Sequence, residues 1–348
     1  MENKTRRMKP RILIIYTGGT IGMMKNAETG ALEPFDFNGI REHIPELRLF
    51  DYVIDNYQFR PPIDSSDMTP ELWVNLADII STRYDHYDGF VLLHGTDTMA
   101  FTASALSFML EGLTKPVVLT GSQLPIGAMR TDGRENLITA IEIAAARTPD
   151  GRPRVPEVSI YFASHLYRGN RTTKENAEKF NAFASYNYPP LARAGININY
   201  NDALIHQPVS DEKLSVHRTL DNRVLALTLF PGIRPQLIEN VFRMPDIRGI
   251  VLRTFGSGNA PSKSWFIDAL RSASEAGKVV VNITQCQSGS VEMGLYQTGI
   301  RLREAGVVSG RDMTVEAAVA KLMVLFGQGL DADEVRRRME IAIAGEIS

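Results

Sequence analysis

The sequence predicts an α/β protein of two domains: a larger N-terminal domain with a mainly parallel sheet flanked by helices, and a smaller C-terminal α/β domain. Three observations lead there. Short apolar runs recur along the chain, helical patterns of about a dozen residues separate many of them, and 348 residues exceed what one compact core usually serves.

The runs are RILIIY (11–16), GFVLL (89–93), PVVLT (116–120), EVSIYFA (157–163), VLALTLF (224–230), GIVLRT (249–254) and KVVVNIT (278–284). A strand apolar at successive positions must be covered on both faces, which is the signature of a parallel sheet between helix layers. Helical spacing over 70–83, 98–111, 134–146, 263–276 and 314–328 supplies those layers. Residues 195–222 are rich in Asn, Asp, Pro and Ser with little periodicity, so the domain connection belongs there. We expect a catalytic domain over 1–200, a connection over 201–222 and a second domain over 223–348, with no internal repeats.

Composition narrows the function. Hydrophobic residues make up 44% and charged residues 22%, which sets disorder aside. A net charge of -2 and a pI near 6.3 give no basic field for phosphates, so a nucleic-acid partner is disfavoured. Cys286 is alone, so neither an internal disulfide nor a cysteine-based zinc site can form, and a reducing compartment suits the chain. The basic start, MENKTRRMKPR, precedes only a short apolar run, Ile12 to Tyr16, too brief for a signal segment or a membrane span. The expectation is a cytoplasmic protein without a membrane partner.

Four segments carry candidate chemistry. The first strand runs into Thr17-Gly18-Gly19-Thr20, where glycines permit unusual backbone angles and let a ligand approach main-chain N–H groups beside the Thr20 hydroxyl. Taken alone this is also a plain turn. The run at 89–93 ends in His94-Gly95-Thr96-Asp97-Thr98 with a helix behind it, so Thr96 and Asp97 sit near a helix N-terminus that favours a carboxylate or a developing oxyanion. Asp97 or Thr98 could equally serve as that helix's cap. RGNRTTKENA (168–177) supplies Lys174, and an amine kept partly neutral can activate a threonine when an aspartate orients it. IDSSDMTPELW (63–73) contains a good helix start at Asp67, Thr69 and Pro70, which leaves Ser65 and Ser66 without that explanation.

Other signatures are missing from the sequence. It has no GxSxG elbow, HExxH or GxxxxGK[ST] loop, and Gly256-Ser257-Gly258 meets Pro261 where a dinucleotide fingerprint needs its third glycine. The six histidines fall at no metal-ligand spacing, and His94 reads as a structural hydrogen-bonding residue. Neither a metal nor a cofactor is expected.

TGGTIG, DSSDM, LHGTDTMA, TGSQ-P, RGNRTTK and GNAP, in this order, closely resemble the bacterial type I, cytoplasmic L-asparaginases, from about Arg11 through the MTVEA segment at 313–317. The resemblance implies hydrolysis of the side-chain amide of L-asparagine to L-aspartate and ammonia through a threonyl acyl-enzyme, without cofactor, in a homotetramer of two intimate dimers. It implies Thr20 as the acyl-forming threonine, with Thr96, Asp97 and Lys174 as a second triad; which threonine attacks first stays open. Ser65 and Asp97 would grip the substrate's α-groups beside Asp64, with Ser66 and Gln123 lining the pocket. Asn259 and Glu316 match positions that in related periplasmic enzymes reach a neighbouring subunit's substrate, and read equally as a turn asparagine and a helix-start glutamate. Arg253, Thr284 and Cys286 match an allosteric asparagine site, although a lone cysteine is commonly a buried core thiol.

In one respect the chain departs from the family: residues 21–34 lack the tyrosine that many relatives place after TGGT, and offer only Glu28 and Glu33 as proton acceptors. Another residue, or the bound substrate, must then activate Thr20. Two other functions fit the resemblance less well. The amidase subunit of a tRNA-dependent amidotransferase would want a basic face or an added RNA-binding domain, and a non-catalytic asparagine sensor would want a catalytic residue missing.

Overall fold

The computed structural model describes residues 9–25, 32–34, 44–208, 213–294 and 297–348. Eight strands form the first sheet: β1 (Arg11–Tyr16), β2 (Val53–Gln58), β3 (Gly89–Leu93), β4 (Val117–Thr120), β5 (Val158–Phe162), β6 (His165–Arg168), β7 (Ala192–Ala194) and β8 (Ile198–Tyr200). Their spatial order is β8-β7-β6-β5-β4-β3-β1-β2. The β2-β1-β3-β4-β5 portion is parallel, and β6, β7 and β8 extend it antiparallel.

The strand pleat explains why the runs are continuously apolar. Leu13, Ile15, Phe90 and Leu92 face helices α1 (Pro70–Thr82) and α2 (Met99–Met109), while Ile12, Ile14, Val91 and Leu93 face α3 (Gly133–Ala145). Every one of these strand side chains is essentially inaccessible to water. Removing one such leucine to alanine would cost about 2–5 kcal/mol.

A second sheet holds β9 (Val224–Thr228), β10 (Gly249–Thr254), β11 (Val279–Thr284) and β12 (Val308–Ser309), in that order and all parallel. Helices α4 (Pro235–Arg243), α5 (Ser264–Glu275) and α6 (Gln297–Glu304) cover one face; α7 (Val315–Gly327) and α8 (Ala332–Met339) cover the other. Helix α7 belongs to both halves. Ala317, Ala320 and Val324 pack into the core of the large sheet, while Ala318, Leu322 and Leu325 pack into that of the small one.

The segment read as a connection is tied down along its described residues. Ser215–Val216 pairs with Leu110–Glu111, Arg218 Nε donates to Asp78 at 2.6 Å, and Asp221 N–H reaches the Met323 carbonyl. These ties are polar and lie between turns, which is why the pattern of residues does not announce them. Among the described residues no helix is long and apolar enough to cross a membrane.

Candidate active site

The carboxyl ends of β1, β2 and β3 lie side by side, so the loops that follow them meet at one edge of the large sheet. The backbone seals this meeting point. Thr17 N–H and hydroxyl both donate to the Leu93 carbonyl at 3.0 Å, and Ile63 N–H donates to the Thr17 carbonyl at 2.7 Å. A side chain at Gly18 would place its Cβ 2.0 Å from the Ile63 carbonyl oxygen, and one at Gly19 would stand 2.6 Å from Gly95 Cα. Gly19 also has φ of 86°. Glycine is therefore required at both positions, by contact as well as by conformation. Thr20 and Thr96 follow directly on the two glycines that touch.

Thr20 begins a short 3-10 turn, Thr20–Gly22, and its hydroxyl bonds to none of the described residues. The Thr96 hydroxyl is engaged. Lys174 Nζ lies 2.9 Å from Thr96 Oγ1 and 2.6 Å from Asp97 Oδ1, and Thr96 Oγ1 points at Gln123 Oε1 at 3.5 Å, the outer limit for such a bond. The lysine side chain is 18% exposed and the aspartate 64%, so the amine is sheltered while the carboxylate that pairs with it is open to solvent. Gln123 is itself fixed, donating to the Ala177 and Lys179 carbonyls at 3.3 and 3.0 Å.

Capping does not account for Asp97 or Thr98. Thr98 stands at the N-cap position of α2 but makes no cap bond; its hydroxyl donates to the Ser65 carbonyl at 2.6 Å and so ties the two loops together. Ser65 is buried, and its hydroxyl overlies Gly95 closely enough that a Cβ there would come within 2.5 Å. Asp64 accepts from both the Ser66 N–H and the Ser66 hydroxyl at 2.9 Å, which holds its carboxyl below the usual carboxylate range. Ser66 is thus spent on Asp64.

His94 is buried behind this edge. Its Nδ1 meets the Gly95 carbonyl at 2.7 Å, its Nε2 meets the Thr102 hydroxyl at 2.9 Å, and Trp73 Nε1 donates to that hydroxyl at 3.0 Å. The indole can only donate, so Thr102 turns its proton to Nε2, and the imidazole carries its own proton on Nδ1 toward Gly95. Burial lowers the imidazole to about 4, which keeps it neutral. It holds the Gly95 carbonyl, and so the backbone beside Thr96, in place.

The remaining candidates gather elsewhere. Arg253, Thr284, Cys286 and Glu316 line a cavity of about 220 Å³ whose opposite wall includes Thr173 and Lys174. Glu316 is buried, so its carboxyl is raised; one oxygen accepts from Thr173 Oγ1 at 2.6 Å and the other has no hydrogen-bond partner among the described residues. The buried Arg253 Nε likewise has none among them. Cys286 is exposed rather than a buried core thiol, because it lies in the loop beyond β11 instead of in the strand. Asn259 stays apart from both groups, in a turn where it exchanges backbone hydrogen bonds with Phe255. Glu28 lies outside the described residues, as does the side chain of Glu33. Among the described residues no group of three His, Cys, Asp or Glu is arranged to hold a metal.

Sequence reasoning missed three contributors: Trp73 and Thr102, which lock His94, and Thr173, which bonds Glu316. Trp73 and Thr173 lie inside the segments 63–73 and 168–177 quoted above and Thr102 only eight residues beyond His94, but nothing in those patterns says which side chain each would meet.

A sheet edge bearing two glycine-supported threonine loops and a sheltered lysine-aspartate pair defines an amide-hydrolysing enzyme of the asparaginase family, and the chain belongs to that family. The model "Asparaginase, N-terminal" matches residues 11–206 and "Glutaminase/Asparaginase C-terminal domain" matches residues 223–339. The chain is 45% identical to L-asparaginase 1 of Escherichia coli (strain K12), covering 98% of each chain. It is 42% identical to the 60 kDa lysophospholipase of Mus musculus over 99% of its own length and 64% of that protein's. The crystal structure of L-asparaginase I from Vibrio cholerae superposes with a TM-score of 0.89 at 42% identity, covering 98% of this chain and 99% of that one.

Proposed function

We propose that the chain is an L-asparagine amidohydrolase. The observation that carries this reading is the Lys174 amine within 3 Å of both Thr96 and Asp97, on a loop whose backbone touches the one bearing Thr20. The Thr20 hydroxyl oxygen attacks the side-chain carboxamide carbon, the C–N bond breaks, and ammonia leaves with the proton given up by the threonine. Water then attacks the aspartyl-threonine ester, which returns the hydroxyl and releases L-aspartate. Thr96, held by Lys174 with Asp97 orienting the amine, assists the proton transfers. Main-chain N–H groups of the glycine loops stabilise the oxyanion.

Ser65 and Asp97 hold the α-carboxylate and α-ammonium of the substrate, with Asp64, Ser66 and Gln123 shaping the pocket; Asn259 and Glu316 serve a neighbouring subunit's site. One extra methylene is rejected by only about 1–3 kcal/mol, so weak activity on L-glutamine follows. Arg253, Thr284 and Cys286 form an allosteric asparagine site in the 220 Å³ cavity, supported by the buried Arg253 Nε there, which has no partner among the described residues and suits the carboxylate of an amino acid. The working enzyme is a cytoplasmic homotetramer whose chains divide into a catalytic domain over 1–200, a connection over 201–222 and a second domain over 223–348. Ammonia release from L-asparagine and from L-glutamine tests the reading. Turnover of L-asparagine at least about tenfold above that of L-glutamine is expected from the size of that discrimination, and no release from either amide would exclude it.

A further inference from the structure

The three residues before Thr172-Thr173-Lys174 that carry polar side chains turn those side chains onto one distant segment. Arg168 Nη1 donates to the Gly345 carbonyl at 3.4 Å, Asn170 Nδ2 to the Ala344 carbonyl at 2.8 Å, and Arg171 Nη1 to the Glu346 carbonyl at 2.6 Å. The other Arg171 nitrogen reaches Ser348 Oγ at 2.7 Å and Asp312 at 2.7 Å, and Asp312 in turn accepts from Ser348 N–H at 3.0 Å. Asn170 is inaccessible to water and Arg171 nearly so, and the short turn between them is closed by Thr172 Oγ1 donating to the Arg168 carbonyl at 2.6 Å.

Segment 343–348 is in turn locked to helix α7. Glu346 accepts from Ile343 and Ala344 N–H and pairs with Lys321 Nζ at 2.6 Å, both charged side chains being wholly buried. Lys321 also donates to the Met339 and Ile341 carbonyls, so its amine is fully used. A buried ion pair adds little net stability against an apolar substitute, but it admits one arrangement of its surroundings, because any other leaves a charge unpaired. The same helix carries Glu316, whose carboxyl holds Thr173 at 2.6 Å. Residues 168–174 are therefore fastened at both ends to one helix of the C-terminal half.

We propose that segment 343–348, set by the Lys321–Glu346 pair, is a positioning element for Lys174, with Asn170 and Arg171 as its positioning residues. The proposal rests on the reading of Lys174 as the group that activates Thr96. Lys174 lies three residues beyond Arg171, and the two threonines between are tied to the Arg168 carbonyl and to Glu316, so an error at the clasp is carried to the amine. A misplacement of about 1 Å can lower a rate by about a hundredfold.

The test is steady-state ammonia release from L-asparagine by wild type, Asn170→Ala and Arg171→Lys, with Leu270→Ala as control. Lysine keeps a charge for Asp312 but lacks the fork needed to hold Glu346 and Ser348 together. Leu270 is buried on α5, in the core on the face of the small sheet opposite α7 and segment 343–348, so its truncation lowers Tm alone. At a temperature where every variant is folded by circular dichroism, both clasp variants should lose at least about tenfold in kcat while KM stays within about twofold. A folded Asn170→Ala enzyme with wild-type kcat overturns the proposal, as does an equal loss of kcat in Leu270→Ala. If Arg171→Lys does not fold, Asn170→Ala decides by itself. A wild type that releases no ammonia overturns the asparaginase reading and this proposal with it, whereas an active wild type with unchanged variants overturns the positioning role alone.

Discussion

Lys174 holds Thr96 and Asp97 within 2.9 and 2.6 Å, a geometry in which one methylene more or less would break the contact. Lys174→Met keeps the apolar stem and deletes the amine, so it should lower kcat by about 10²–10⁴-fold with the fold intact, as ammonia assays and circular dichroism would show together. Gly19→Ala tests the loop contact instead. Its Cβ would meet Gly95 at 2.6 Å with φ at 86°, so loss of about 1–3 kcal/mol in denaturant unfolding should accompany loss of turnover. Thr20, Thr96 and Asp97 were readable as candidates because each sits in a short loop just past an apolar run, whereas Lys174, on a two-residue strand paired with Phe183–Ala184, was marked only by its motif. That Lys174 crosses some 78 residues of chain to touch Thr96 was not readable, since spacing says nothing about such a distance.

At the scale of elements, the strand that delivers Thr96 is braced by the Trp73–Thr102–His94 chain joining α1, α2 and the end of β3. The His94 imidazole, about 4 in the folded protein against 6.5 in an open chain, takes up its proton more readily when unfolded. Its contribution is whole above pH 6.5 and is lost as pH falls toward 4, amounting to about 3 kcal/mol across that window. Unfolding free energies measured from pH 7 to 4 should fall accordingly, and His94→Gln should flatten the slope; an equal slope in that variant would contradict the assignment. Elements built on continuous apolar runs were the legible ones, whether buried or not: β9 is half-exposed and marked, β6 largely buried and unmarked. The apolar runs mark β1, β3, β4, β5, β9, β10 and β11, whereas β2 (VIDNYQ), half-exposed at the sheet edge, and the short polar β6, β7 and β8 lack any such mark.

Over the whole molecule, α7 is the part that makes two sheets one protein, packing into both cores and anchoring the segment that leads to Lys174. Lys321→Met alone would strand the Glu346 carboxylate in the interior and should cost about 3–5 kcal/mol, read as a lower denaturant midpoint. If the cavity with Arg253 binds effector asparagine, the saturation curve of wild type is sigmoidal and that of Arg253→Ala hyperbolic; identical shapes would remove the allosteric reading. The central claim is that two threonine loops act on one carboxamide as a unit. Its most direct measurement is kcat for L-asparagine in Thr20→Ala, Thr96→Ala and the double variant. Each single change should cost at least about a thousandfold, with the double variant little worse than either, as for residues that work together. Wild-type turnover in either single variant, or losses that multiply as for independent sites, would contradict it.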